Sequence, residues 1–187
     1  MNRFSLFIFA CLFYLILASC AELSTKEMDL SFTTEEGRGM LHTDAELYQA
    51  ELFQNGRQGM RFDIPYTVTN TTEIAVYMIG CRQPSAPVLQ KRDGEEWVTA
   101  FSAVEQHCLS PPFILEPGEQ RRDTLQVYGF FPGQNIYPEF LTDVEGTYRL
   151  KKRIYSDPDT FENSGEWSNH KLDPELRISN TFQVKKK

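Results

Sequence analysis

The chain has 187 residues, a formal net charge of −7 and a sequence that is 41% hydrophobic. That length suits one well-cored domain and is short for two. An acidic surface repels a phosphate backbone, so nucleic-acid binding is excluded as an expectation.

Residues 1–19 read as a secretory leader, with Arg3 in a short basic region, an apolar stretch from Phe4 to Leu17, and small residues before Cys20. A membrane-spanning helix is the alternative, but Phe4 to Ser19 would rise only about 24 Å against a hydrocarbon core of about 30 Å. The ending Leu17-Ala18-Ser19-Cys20 resembles the bacterial lipobox, in which a small residue precedes a cysteine that is lipidated before cleavage. The resemblance implies a mature chain that begins at Cys20 and is held at a membrane by acyl chains, each buried methylene contributing about 0.8 kcal/mol. Residues 20–44 then form the lipidated cysteine and its tether, and the polar part from Ala21 to Leu30 extends at most roughly 35 Å. Ala21 stands where inner-membrane lipoproteins of double-membrane bacteria carry Asp, which implies outer-membrane delivery within the cell envelope.

With Cys11 in the leader and Cys20 lipidated, Cys81 and Cys108 remain. In an oxidising envelope a lone pair is most simply a disulfide, and closing that loop contributes roughly 3 to 4 kcal/mol on the chain-entropy model. A zinc site using His107 beside Cys108, or a reactive thiol, are the competing readings, and neither has a C-x-x-C spacing. No metal or cofactor is expected.

Along the chain, short β-branched and aromatic runs alternate with Gly, Pro, Asn and Asp punctuation, the pattern of an all-β domain over residues 45–187. Thr43 to Asn55 fits a capped helix or a strand before an Asn55-Gly56 turn, and a sandwich needs the strand, to pair with Arg61 to Asn70. Phe62, Ile64, Tyr66 and Val68 alternate with polar partners, Pro65 marks an edge or a bulge, and Asn70-Thr71-Thr72 is a turn. Ile74 to Ile79 is apolar on both faces and reads as a central buried strand ending at Cys81. Val88 to Lys91 and Glu96 to Phe101 flank an Asp93-Gly94 hairpin, with Trp97 over the core. Phe113 to Leu115 leads through Pro117-Gly118-Glu119 to Leu125–Tyr128. Tyr148, Leu150 and Ile154 alternate with Arg149, Lys151 and Arg153. Leu176, Ile178, Phe182 and Val184 form the last period-two run, giving seven to eight strands.

The run Tyr66-Thr67-Val68-Thr69-Asn70-Thr71, then Pro117-Gly118-Glu119, then Gly146-Thr147-Tyr148, resembles bacterial immunoglobulin-like or fibronectin-type sandwiches and the BsuPI-type proteinase-inhibitor domains. The resemblance covers residues 45 to 184 and implies a single immunoglobulin-like antiparallel β-sandwich, with Asp143, Gly146 and Tyr148 forming a turn and a tyrosine corner. Leu150 stands where an antibody-type domain has its second core cysteine, so a Cys81–Cys108 bond would tie neighbouring strands or loops.

The connection Tyr128 to Phe140 is unusually aromatic. Tyr128, Phe130, Phe131, Tyr137 and Phe140 form either a recognition surface or a seal over one end of the sandwich. Ser156 to Trp167 is a long acidic loop without the ligand alternation of an EF-hand. Arg149, Lys151 and Arg153 read as a ladder paired with acids across the strand, Arg121-Arg122 as part of a connection, and Lys185-Lys186-Lys187 as a solvated tail. His42, His107 and His170 are scattered, and no Gly-x-Ser-x-Gly or His-Glu-x-x-His motif occurs. The expected function is a non-enzymatic envelope lipoprotein that binds a protein or a glycan. A proteinase inhibitor and a small hydrolase are the alternatives.

Overall fold

The computed structural model describes residues 39–54, 56–103, 110–134, 136–157 and 171–187. The leader, Cys20, the tether to residue 38, Asn55, His107, Cys108, His170 and most of the acidic loop lie outside the described residues.

Ten strands are present among the described residues: β1 Leu41–Thr43, β2 Leu47–Gln54, β3 Gln58–Thr69, β4 Val76–Met78, β5 Val88–Asp93, β6 Glu96–Phe101, β7 Phe113–Leu115, β8 Gln120–Phe130, β9 Gly146–Lys151 and β10 Phe182–Lys186. They make an all-β sandwich. In one layer β3 pairs with β8 on one side and with β1 and the end of β2 on the other. In the other layer the order is β2, β10, β9, β5, β6, which is immunoglobulin-like. Strand β2 belongs to both: Leu47 to Ala50 pair with β10, and Glu51 to Gln54 pair with β3. A separate two-stranded sheet joins β4 and β7.

The period-two pattern explains the core. Phe62, Ile64, Tyr66 and Val68 of β3 point inward with Leu125 and Val127 of β8, and meet Leu89, Tyr148, Leu150, Phe182 and Val184 of the facing layer in one cluster. At about 25 cal/mol per Å² of apolar surface removed from water, these side chains supply the main driving force for folding.

Several expectations are corrected. The sandwich is not purely antiparallel, because β2 and β10 run parallel. The folded part begins before residue 45, since Leu41–Thr43 pairs with Tyr66–Val68. Thr43 to Gln54 is extended, as favoured, in two pieces. Pro65 lies within the pairing of β3 to β8, opposite Thr124, and its carbonyl accepts from Asp44 N on the other side at 3.4 Å. Its missing N–H therefore faces the gap between the end of β1 and the start of β2, where no ladder donor is needed. Ile74 to Ile79 is not a central strand: only Val76–Met78 is extended, its central Tyr77 is half-buried, and Ile74 is exposed. Before β10 the chain forms a 3-10 turn, Pro174–Arg177, so Leu176 and Ile178 precede the last strand. Pro at the first position and an acid in the first turn suit a helix start.

Two buried polar clusters hold the connections. Asn70 is 1% exposed; its Nδ2 donates to the carbonyls of Ile74 and Leu115 at 2.7 and 2.8 Å, while its Oδ1 accepts from Thr72 N and Oγ1 at 3.0 and 2.7 Å. The turn predicted at Asn70-Thr71-Thr72 is thus an Asx-type turn that also clamps β7. The Tyr148 hydroxyl donates to the Val144 carbonyl at 2.6 Å, with the Asp143 carbonyl at 3.2 Å, which is the geometry of a tyrosine corner at the start of the penultimate strand. Lys91, opposite Tyr148, reaches over Gly146 and donates to the Asp143 carboxylate and, at 3.0 Å, to its carbonyl.

Candidate interaction surface

The aromatic segment is divided by the fold. Phe140 is 0% exposed and packs between Phe62 and Phe101, with ring centroids at 6.4 and 5.5 Å. It can do so because Gly129 leaves a floor: a Cβ there would stand 3.0 Å from the Phe140 ring. Phe140 is therefore a core residue and not a contact residue. Phe131 is half-buried against the same core. Tyr128 and Tyr137, 43% and 69% exposed, face solvent, and Phe130 is half-buried.

The outer side of β8 carries a cluster that includes one residue from a distant segment. Phe53 of β2 stacks on Tyr128 at 4.4 Å with the planes 6° apart, and meets Phe130 edge-on at 5.6 Å. The register explains the meeting, because Phe53, Gly59 and Phe130 lie in one row across β2, β3 and β8, beside the row Glu51, Arg61 and Tyr128. Gly59 has no side chain between the two rings, so they close over it. Phe53 carries no motif of its own; the signal for it is the glycine paired with it across β2 and β3. Stacked and edge-on aromatic pairs of this kind are worth roughly 0.5 to 1.5 kcal/mol beyond their buried area.

A charged rim adjoins the rings. Arg61 Nε and Nη2 donate to Glu51 Oε2 at 3.3 and 3.2 Å, and Lys187 lies 3.5 Å from the other carboxylate oxygen. These bonds, the one from Arg61 foremost, hold the Glu51 carboxyl below its ordinary value. The loop beyond β8 is tied to the same end of the sandwich. Phe131 N and Gln134 Nε2 donate to the Gln58 carbonyl at 3.1 and 2.7 Å, Arg57 donates to the Gln134 carbonyl, and Phe130 N donates to the Pro138 carbonyl at 3.0 Å. Tyr137, exposed beside that last contact, precedes Pro138 through a cis peptide.

The basic groups are placed differently from expectation. Arg149 and Lys151 stand opposite Gln90 and Val88, not opposite acids, and Arg153 lies beyond β9. Trp97 sits on the outer face of its sheet with the Arg149 guanidinium 4.3 Å from its ring centroid, and is not part of the core. Arg121 and Arg122 belong to β8, with Arg121 5.2 Å over the Phe113 ring. Lys185 and Lys186 are in β10 rather than in a tail, and Lys186 pairs with Glu145.

An open recess of about 460 Å³ is lined by Asp44, Tyr66, Arg122 and Asp123, among others. The Tyr66 hydroxyl donates to Asp123 Oδ2 at 3.3 Å, and burial, then the Asp123 charge, raise its pKa. Both effects make the phenol a poorer source of a phenolate nucleophile. Next to it, buried Lys152 donates to the Ser85 carbonyl at 2.5 Å and lies 3.4 Å from the Tyr66 hydroxyl. His42 is exposed on β1. Cys81 lies inside the turn closed by the Gly80–Pro84 bridge and is half-buried, while the other half of the expected cystine, Cys108, is outside the described residues. No protein-family model matches the chain, and no curated protein does either.

Proposed function

We propose that the protein is an exported, lipid-anchored, non-enzymatic β-sandwich of the bacterial cell envelope, which contacts a protein partner through the aromatic corner formed by Phe53, Tyr128, Phe130 and Tyr137. The observation that carries the contact is the stacked Phe53–Tyr128 pair, drawn from two strands, part exposed and rimmed by the Arg61–Glu51 ion pair. An aromatic centre with an Arg-containing polar rim is the composition of interface hot spots. The anchor is supported by the lipobox-like ending at Cys20 and the leader before it, and the oxidising compartment then favours a Cys81–Cys108 disulfide.

Photo-crosslinking side chains placed at Tyr128 and Tyr137 in intact cells test the surface, with Thr99 on the opposite layer as control. Discrete adducts from the first two positions, weakened by Phe53→Ala and missing at Thr99, are expected; equal adducts at all three positions would refute the assignment. Intact mass tests the anchor. Protein extracted from membranes is expected to start at Cys20 with acyl mass and to weigh two hydrogens less than its reduced form; a chain still starting at Met1 without acyl mass overturns the export reading.

A further inference from the structure

The outward face of the β2-β10-β9-β5-β6 layer carries Lys185, Arg149, Lys151 and Arg92 together with Trp97. Over Leu47–Ala50 of β2 and over β10, β9, β5 and β6, the remaining outward positions are Leu, Val, Thr and Gln, and Glu51, farther along β2, is an acid at the rim of this face. In a chain with 26 acidic and 19 basic residues, such segregation of charge makes this face a positive plate on an acidic body. None of the four cations pairs with a carboxylate among the described residues.

Arg149 is the built element of the plate. Its Nε donates to Gln90 Oε1 at 3.0 Å and its guanidinium carbon lies 4.3 Å from the Trp97 ring centroid, so the group is held in place with both Nη atoms unused among the described residues. A fork fixed in this way loses little side-chain freedom when it receives an oxyanion. Arg149 and Lys151 are about 6.7 Å apart along β9; on the strands to either side the register carries Arg92 to a place opposite Thr147, about 8 Å from Arg149, and Lys185 to one opposite Glu145, about 14 Å from Arg149. The cations thus spread in two dimensions, which matches a plane of anionic groups better than a single linear chain. Trp97 beside cations is also the residue combination of the membrane–water interface.

We infer that this face docks on a membrane leaflet bearing anionic phosphate headgroups, with Trp97 at headgroup depth and the aromatic corner on the other layer left available. Each cation near such a surface multiplies the preference for anionic over neutral lipid about fivefold, so the plate orients a tethered domain more than it recruits a free one. The inference draws its working affinity from the proposed anchor, but its chemistry is independent of it.

The test uses the full chain with Trp167→Phe, so that Trp97 alone reports, mixed with phosphatidylcholine vesicles that contain or lack phosphatidylglycerol and carry a headgroup quencher. Co-sedimentation reports the anchor, and quenching of Trp97 reports docking. Quenching on the anionic vesicles only, reversed by salt, is expected. The triple variant Arg92→Gln/Lys151→Gln/Lys185→Gln is expected to lower the anionic preference about a hundredfold, and Arg149→Lys to weaken quenching while circular dichroism stays unchanged. Trp97 quenching that is equal on both vesicles, or that survives in the triple variant, would overturn the inference, as would tighter salt-sensitive binding to polygalacturonate than to anionic vesicles. Quenching on anionic vesicles by a protein that does not sediment with neutral ones would remove the anchor and leave the docking face standing.

Discussion

Phe53 and Gly59 are paired across the β2–β3 hairpin, and the Phe53 ring occupies the space that a side chain on Gly59 would need. A Cβ at Gly59 would collide with the ring and would also lie 2.5 Å from the Gly129 carbonyl oxygen, which belongs to the backbone of β8 and cannot swing away. Gly59→Ala is expected to destabilise the domain by about 1 to 3 kcal/mol, the usual cost of overpacking. Chemical denaturation measures it. Adding Phe53→Ala should recover only part of the loss, because the carbonyl contact persists; full recovery would mean that the ring alone sets the constraint.

Asn70→Ala is expected to cost about 2 to 3 kcal/mol, because it leaves the buried Leu115 carbonyl without a donor and also opens the turn at Thr72. Asn70→Asp should cost as much or more, since it sets an acceptor against the Ile74 and Leu115 carbonyls. Urea unfolding curves of the two variants check the ranking, and a loss below that of an ordinary surface substitution would contradict this role.

Gly146, Lys91 and Asp143 give a graded series. Lys91 is largely buried whereas Asp143 is 78% exposed, so Asp143→Asn is expected to cost less than about 1 kcal/mol. Lys91→Met should cost more, because it also releases the Asp143 carbonyl. Gly146→Ala should be worst: its φ of 147° disfavours a side chain, and a Cβ would press on Lys91 Cε at 2.7 Å. Thermal unfolding in low and high salt orders the three.

Alkaline pH should weaken the fold through its buried phenols. Burial and then the Asp44 carboxylate push Tyr48 up to about 12, and burial with nearby Asp123 or Asp143 raises Tyr66 and Tyr148. Each folded-state pKa exceeds the unfolded value of about 10, so the stabilisation is complete below about pH 10 and is lost as pH rises toward the folded value. Denaturation midpoints measured from about pH 8 to pH 11 should fall only at the upper end. Tyr48→Phe should flatten that fall, and a midpoint independent of pH would exclude the linkage.

The parts of the fold that could be read in advance are those where one face of a strand is buried and the other is wet. Phe62 to Val68 is such a run, and the hairpin at Asp93-Gly94 and the corner at Tyr148 follow from local turn chemistry. Pairing partners carry no such local mark. The gap beside Pro65 exists because β1 stops and β2 starts there, and the parallel match of Leu47 to Ala50 with the C-terminal strand depends on residues more than a hundred positions away. Ile74 to Ile79 misleads because an apolar residue may stay exposed as Ile74 does. The aromatic corner is legible at Tyr128, Phe130 and Tyr137 but not at Phe53, and hydrophobicity cannot tell that Phe140 drops into the floor left by Gly129.

The parallel match of β2 with β10 has a mechanical side. Tension applied between the N-terminal side of Leu47 and the chain's last residues pulls these two strands past each other in opposite directions, so their backbone bonds from Leu47 to Ala50 bear the load together instead of opening one after another. A domain held at one end and gripped at the other would resist a sideways tug at this seam, while the three-residue β1 upstream of it gives way first.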